Sequence, residues 1–267
     1  MRGDGPSGAA IDDRAENAMP TLQENLHRWS QFDFDQAEAW SEEWGGTENL
    51  WWSTLHPRLR HLLDTGVLLE IAPGGGRLTQ FLVERCSRLI LVDLSESSMR
   101  ACRQRFAAHD HVEYVLNDGL SLDAVADGSV DLAVSYDSLV HCEIDVVEAY
   151  VVALGRKLVP GGHAFLHHSN FAALLDPETG EGRPNHHWRA TSVCAGQVRR
   201  LCLSAGLECT HQELIGWGGT DLTDCFSLLT RPTGERRPET RVMENPDFMN
   251  EARTARAYGE VFSPAGG

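Results

Sequence analysis

The sequence holds no long apolar run, no CxxC cysteine pair and no excess of positive charge. Its apolar stretches fall short of the ~20 residues that cross a bilayer as a helix. Met1 to Pro20 is polar and rich in Gly, Ala and Asp, without the apolar core of a secretory signal. The seven cysteines, at 86, 102, 142, 194, 202, 209 and 225, are odd in number and unpaired by spacing, so neither a disulfide framework nor a zinc knuckle is indicated. Lys plus Arg number 23 against 39 Asp plus Glu, a formal charge of −16. A scaffold that grips nucleic-acid phosphates needs a net positive face, so that role is excluded, while an enzyme with a local basic pocket is not. These absences predict a reduced, cytoplasmic, globular protein with no nucleic-acid or membrane partner; a homo-oligomer stays open.

What is present is ordered along the chain. Residues 1–20 lack both apolar period and aromatics and are expected to be disordered. Residues 21–60 hold five of the seven tryptophans. They are expected to form a helical lid or cap, two Trp-bearing stretches broken at Gly45-Gly46. From residue 61 to about 231 short apolar runs alternate with helical periods. Val67–Ile71, Leu89–Asp93, Val112–Leu116, Val130–Ser135 and His163–His168 read as buried strands. Helices lie between them, one capped by Ser95 and one with Val146, Val147, Tyr150, Val151 and Leu154 inward. Two further strands, about 207–215 and 224–230, follow without a helix between them. The pattern predicts one α/β domain: seven strands, mostly parallel, with helices on both faces and an antiparallel edge. Residues 232–267 read as a tail with a short helix near Pro246–Tyr258.

The strongest chemical signal is Leu69-Glu-Ile-Ala-Pro-Gly-Gly-Gly-Arg77, a strand running into a Gly-rich turn and then a helix. Such a turn lets a ligand lie against the backbone near a helix N-terminus; it also serves as a plain tight connection. Asp93 ends the next strand, where a carboxylate can accept from both hydroxyls of a ribose. Thr79 stands where a dinucleotide fingerprint would have its third glycine, and no Walker lysine follows. Asn117-Asp118-Gly119 ends the third strand. Acids after three successive strands suit a cationic adenosyl ligand better than a pyrophosphate.

In this order and spacing the pieces LEIAPGGGR, LVDLS, NDG, DGSVDLAVSYDSLVH and LVPGGHAFLHHSN resemble the class I S-adenosylmethionine-dependent methyltransferase family over about 67–170. The DSLVH and HHSN pieces look most like small bacterial methyltransferases that tailor sugars and natural products. Ala72 and Pro73 depart from the family's usual ExGxGxG. The resemblance implies a Rossmann-like fold and S-adenosylmethionine as cofactor. It implies Glu70 near the methionine amino group, Gly74 and Gly76 against the cofactor, and Asp93 on the ribose. Asp118 with Gly119 would take the adenine edge, and Ser135 with Tyr136 the methionine part.

Methyl transfer to a hydroxyl needs a base, and histidine suits that work near neutral pH. His141 is the expected base, with Asp137 four residues earlier to orient it; His168 is the other candidate. No metal is expected. Trp44, Trp51 and Trp52 either cover an acceptor or pack on the core. Asn170 and Trp188, in and after the fifth strand, are expected to meet the acceptor. The reading is O-methylation of a sugar or natural-product hydroxyl. C-methylation of an indole-type ring is the alternative within enzymes, and a non-catalytic cofactor-binding regulator the alternative outside them.

Overall fold

The computed structural model describes residues 21–32, 34–234 and 239–262. The N-terminus expected to be disordered lies outside these. The first helix, α1 (Leu22–Gln31), starts at a capping box in which the Thr21 hydroxyl accepts from the Glu24 N–H and the Glu24 side chain reaches back. A 3-10 helix, Phe34–Trp44, follows, and Gly45 and Gly46 turn the chain at φ +74° and +121°. Beyond the turn, α2 (Thr47–Leu50), a π turn at Trp51–Leu55 and α3 (His56–Leu59) run on as one helical stretch, with Pro57 in the first turn of α3.

The sheet has eight strands: β1 (Thr65–Ile71), β2 (Cys86–Asp93), β3 (Val112–Leu116), β4 (Val130–Ser135), β5 (Leu158–Ser169), β6 (Glu208–Ile215), β7 (Asp224–Thr230) and β8 (Arg241–Asn245). Their order is β3-β2-β1-β4-β5-β7-β6-β8, and only β7 runs against its neighbours. The expected seven strands become eight because β8 pairs in parallel with β6 from His211↔Arg241 to Ile215↔Asn245. The stretch expected to be a loose tail thus joins the sheet. The last helix, α8 (Met249–Phe262), packs back onto the protein with Phe248 and Ala252 fully buried.

The helices α4 (Thr79–Leu82), α5 (Glu96–Arg105), α6 (Ile144–Lys157) and α7 (Ala195–Ser204) connect the strands. Alternation along β1 sends Leu69 and Ile71 to one face, with Val147, Tyr150 and Val151 of α6, and Leu68 to the other. That second face is covered by the cap through Trp44, Leu50, Trp51, Leu55 and Leu59, together with Phe248. Trp44 and Trp51 are each 1% exposed, and Trp51 stacks on Phe81 at 5.1 Å. At ~25 cal/mol per Å2 over ~150–250 Å2, each contributes roughly 4–6 kcal/mol of burial before entropy is counted. Arg58 of α3 stitches the layers, ion-paired with Glu213 of β6 and Glu251 of α8 at 2.7 Å each.

Strand order reverses between β1 and β4, whose neighbours lie on opposite sides. In open α/β sheets the crevice outside the carboxyl ends at such a point is where ligands bind. Among the described residues no helix is long and apolar enough to cross a membrane.

Candidate active site

The crevice holds a cavity that opens to solvent and, counted with its mouth, spans about 660 Å3. Its floor comes from the strand ends: Ile71, Ala72 and Gly74 after β1, Asp93 and Leu94 after β2, Gly119 after β3, and Asp137, Ser138 and Leu139 after β4. Its roof is α1 and the 3-10 helix, through Leu22, Asn25, Trp29, Phe34 and Trp40. A smaller lobe of about 360 Å3 continues past Asp137 to Glu70, Arg77 and Tyr136.

The Gly-rich turn shows why those residue types are there. Gly74 sits at φ +58°, and a Cβ on it would stand 3.2 Å from the Phe34 ring. A Cβ on Gly75 would stand 2.7 Å from the Phe34 carbonyl oxygen, so the roof can close only over glycine. Gly76 plays another part than expected: its missing Cβ makes room for Phe106, 2.4 Å away, not for a ligand. Ala72 keeps a left-handed φ of +57° without being glycine, a strain of ~1–2 kcal/mol.

Asp93 is 6% exposed and preset. Its carboxylate accepts from the Ser95 N–H at 2.8 Å, the Ser98 hydroxyl at 2.7 Å and the Gly74 N–H at 3.4 Å. Burial pushes its pKa up against those bonds. Glu70 is buried, accepts from the Thr79 hydroxyl at 2.6 Å, and is pushed up to about 7, chiefly by burial. Asp118 is exposed and spends Oδ1 on the N–H groups of Leu120 and Ser121, which lower its pKa; it does not line the cavity, while Gly119 does. Tyr136 lines the smaller lobe, Ser135 is fully buried and lines neither, and neither hydroxyl has a hydrogen-bond partner among the described residues.

The expected Asp137–His141 pair does not form. The segment Leu139–His141 is a 3-10 turn, which lacks the α-helical spacing that would bring the two together. Asp137, at φ +57°, turns to Arg77 instead, Nη2 to Oδ2 at 2.9 Å. Burial works against this carboxylate, but Arg77 and then Arg189 outweigh it and hold its pKa below the ordinary range. His141 places Nδ1 2.8 Å from the Trp188 carbonyl oxygen, so Nδ1 carries the proton and Nε2 the lone pair. Its ring lies against Trp188 at 5.4 Å and, at 6.0 Å, against Trp29, which lines the cavity; His141 itself is not among the lining residues. Burial, then the charge of Arg189, lowers its pKa to about 4.

His168 faces away from the cavity. It is fully buried between the Ser169 carbonyl and the Ser227 hydroxyl, and burial lowers its pKa to about 4. Asn170 is spent on structure: Nδ2 donates to the Leu222 carbonyl, and Oδ1 accepts from the Ala195 N–H at the start of α7. Trp44 and Trp51 belong to the core, and Trp52, 49% exposed, stacks near His56 and not on the cavity. The tryptophans that do line it are Trp29 and Trp40, 5.8 Å apart, with Phe32 and Phe34 beside them. Spacing marks part of the core set: Trp51, Leu55 and Leu59 recur every four residues on one buried face. Trp188 lies outside the cavity lining, under Arg28 of α1 at 3.9 Å.

Residues 69–166 match the family model described as a methyltransferase domain. That stretch, from β1 to β5, carries a methyltransferase domain. The ribosomal RNA small subunit methyltransferase A of Geobacter metallireducens is 41% identical over 56 residues, 21% of this chain and 20% of that protein. Its counterpart in Fusobacterium nucleatum is 33% identical over 60 residues, 22% and 23% of the two chains. The chain therefore spans about a fifth of the length of the curated relatives it matches. Among solved structures, the N-methyltransferase NodS from Bradyrhizobium japonicum superposes at TM-score 0.50 and 20% identity, covering 66% of this chain and 94% of that one. The 4+2 cyclase SpnF does so at 0.56 and 14%, covering 80% and 97%. At these identities the likeness is one of fold.

The cofactor of such a methyltransferase domain is S-adenosylmethionine, and the cavity fits it. Two carboxylates and an aromatic wall suit a cation, Asp93 offers acceptors to a diol, and among the described residues the one guanidinium lining the two lobes, Arg77, is taken by Asp137 rather than free for a pyrophosphate. Trp29→Ala is expected to weaken S-adenosylmethionine by about 10-fold, through lost ring contact. Trp52→Ala is expected to change nothing; calorimetry with both variants checks the reassignment.

Proposed function

We propose that the protein methylates a hydroxyl of a small natural product or sugar with S-adenosylmethionine as donor. The observation that carries this is the cavity at the strand-order reversal, acidic at Asp93 and Asp137 and lined for the rest mostly by apolar and aromatic groups. When bound, the cofactor supplies an electrophilic methyl group on a sulfonium sulfur, which needs a nucleophile in line and little water around it. Asp93 holds the ribose hydroxyls, Glu70 the amino group and Gly74 the backbone side of the cofactor. Trp29, Phe34 and Trp40 cover the cofactor and, beside it, a flat or apolar-faced acceptor, and exclude water. His141 Nε2 takes the hydroxyl proton, its ring held by the Trp188 carbonyl and not by Asp137, whose carboxylate is paired with Arg77. The formal charge of −16 and the uncharged wall favour a small neutral or cationic acceptor over RNA.

With its pKa near 4, His141 is already neutral at pH 5 and above. A base is lost as pH falls through its own pKa, so kcat/KM is expected to stay level from pH 5 to 8 and to drop only towards pH 4. His141→Ala is expected to lower kcat by about 100-fold or more with cofactor affinity unchanged. Wild-type turnover in that variant removes the assignment.

The aromatic wall also favours an electron-rich ring, such as an indole, methylated on carbon. Labelled S-adenosylmethionine with a panel of sugars, phenols and indoles, read by NMR, separates the two, because O-methyl and C-methyl carbons resonate far apart. Cofactor binding without transfer to any of them would point to a regulator, and no cofactor binding would end the reading.

A further inference from the structure

The fold buries three ionisable groups just behind the cavity, in a chain that ends on the Asp137 backbone. Arg189 grips Asp224, Nε at 2.9 and 3.0 Å from its two oxygens and Nη2 at 2.7 Å; the two side chains are 4% and 0% exposed. Asp224 Oδ2 lies 3.1 Å from Nε2 of His167, which is also fully buried. His167 Nδ1 lies 3.1 Å from the backbone N of Asp137. An N–H can only donate, so Nδ1 is the acceptor and the ring proton sits on Nε2, facing Asp224. The ring is clamped between Tyr136 at 5.2 Å and Trp217 at 5.5 Å.

Asp137 is the residue this chain holds. It adopts a left-handed φ of +57°, which an aspartate keeps only when its surroundings over-determine it. That conformation sends its carboxylate to the junction of the two cavity lobes, where Arg77 meets it, itself anchored to the Ser41 hydroxyl at 3.1 Å. Neither His167 nor Asp224 lines either lobe, so neither meets a ligand.

We propose that His167, Asp224 and Arg189 are positioning residues that lock the Asp137 turn, so that its carboxylate faces a cationic sulfur and makes the site prefer the sulfonium cofactor over the neutral thioether product. The proposal rests on the methyl-transfer reading above. Arg189 fixes Asp224, Asp224 fixes the His167 tautomer, and His167 fixes the Asp137 N–H. Asp137 and the three groups come from three separate stretches: the β4 exit, the end of β5 with the loop after it, and the start of β7.

The test compares the affinities of the full-length protein for S-adenosylmethionine and S-adenosylhomocysteine by calorimetry. The two ligands differ by one methyl group and one positive charge, so a merely structural loss weakens both alike and leaves their ratio unchanged. Asp137→Asn is expected to cut the preference for the sulfonium by about 10-fold. His167→Asn keeps an acceptor at the Nδ1 position and is expected within about 2-fold of wild type, whereas His167→Gln keeps only a donor towards Asp224 and is expected to lose about 5-fold. The double variant His167→Gln, Asp137→Asn should match Asp137→Asn alone, since both changes act through one carboxylate. Both histidine replacements are polar and close in size, so a fold that tolerates either still reads out the contrast. Equal preferences in His167→Asn and His167→Gln, additive effects in the double variant, or an Asp137→Asn preference equal to wild type each overturn the positioning role and leave the methyltransferase reading standing. A wild-type protein that binds neither ligand overturns both.

Discussion

Asp93→Ala is expected to weaken S-adenosylmethionine by at least about 100-fold, on the figure of ~1.5–3 kcal/mol for each hydrogen bond to a charged group and two such bonds to a diol. The size of the effect comes from how the carboxylate is held. Three protein donors, from Gly74, Ser95 and Ser98, orient it before any ligand arrives, so little ordering is left for binding to do. Stability should change far less than affinity, because burial already raises the Asp93 pKa and the alanine removes an ion the fold disfavours. Calorimetry and a thermal melt of the same variant check both halves. An affinity within about 3-fold of wild type would show that Asp93 only braces the Gly-rich turn.

The largest loss of stability is expected from Arg189→Leu. Removing one partner of a buried ion pair costs ~3–5 kcal/mol, because the other is left charged without a counterion. In a protein of this size that is a fall in Tm of about 10 °C. The pH dependence has a definite sign. Burial works against the Asp224 carboxylate, but Arg189 and His167 hold its pKa well below the ordinary range. In the wild type the pair therefore stabilises the fold above the usual carboxylate pKa, and that contribution fades as pH falls towards the depressed value. Without Arg189, burial drives the Asp224 pKa up and the acid can protonate. The deficit of the variant should then shrink as pH is lowered from 7.5 towards 5. Melts at both values decide it; an equal deficit at both would mean that Asp224 stays charged without Arg189.

Much of the parallel half of the fold could be read from the chain, because strands buried on both faces are written as runs such as Leu89–Val92 that admit little else. β8 could not. Its Arg-Val-Met-Glu-Asn is exposed from Arg241 to Glu244, at the rim beside β6, and carries neither an apolar run nor an apolar alternation. The cavity lining was legible at the strand ends, at Gly74, Asp93 and Gly119. The site was obscure where tertiary packing chose between equals. His167 and His168 alternate across β5, and nothing in their own stretch says which face opens on the cavity side. Arg77 reads as the end of a glycine turn until Asp137 is seen against it. Asp224 and Arg189 are 35 residues apart and meet only because β7 lies beside β5.

The packing of α8 carries a consequence for how the chain is made. Trp44 lies 6.2 Å from Phe248, and Arg58 waits for Glu251. The patch of the second face beside Trp44 that Phe248 covers therefore stays open to solvent until α8 emerges from the ribosome. A nascent chain halted before Phe248 presents that apolar patch to chaperones, and contacts between positions some 200 apart make the closing step a late and slow one.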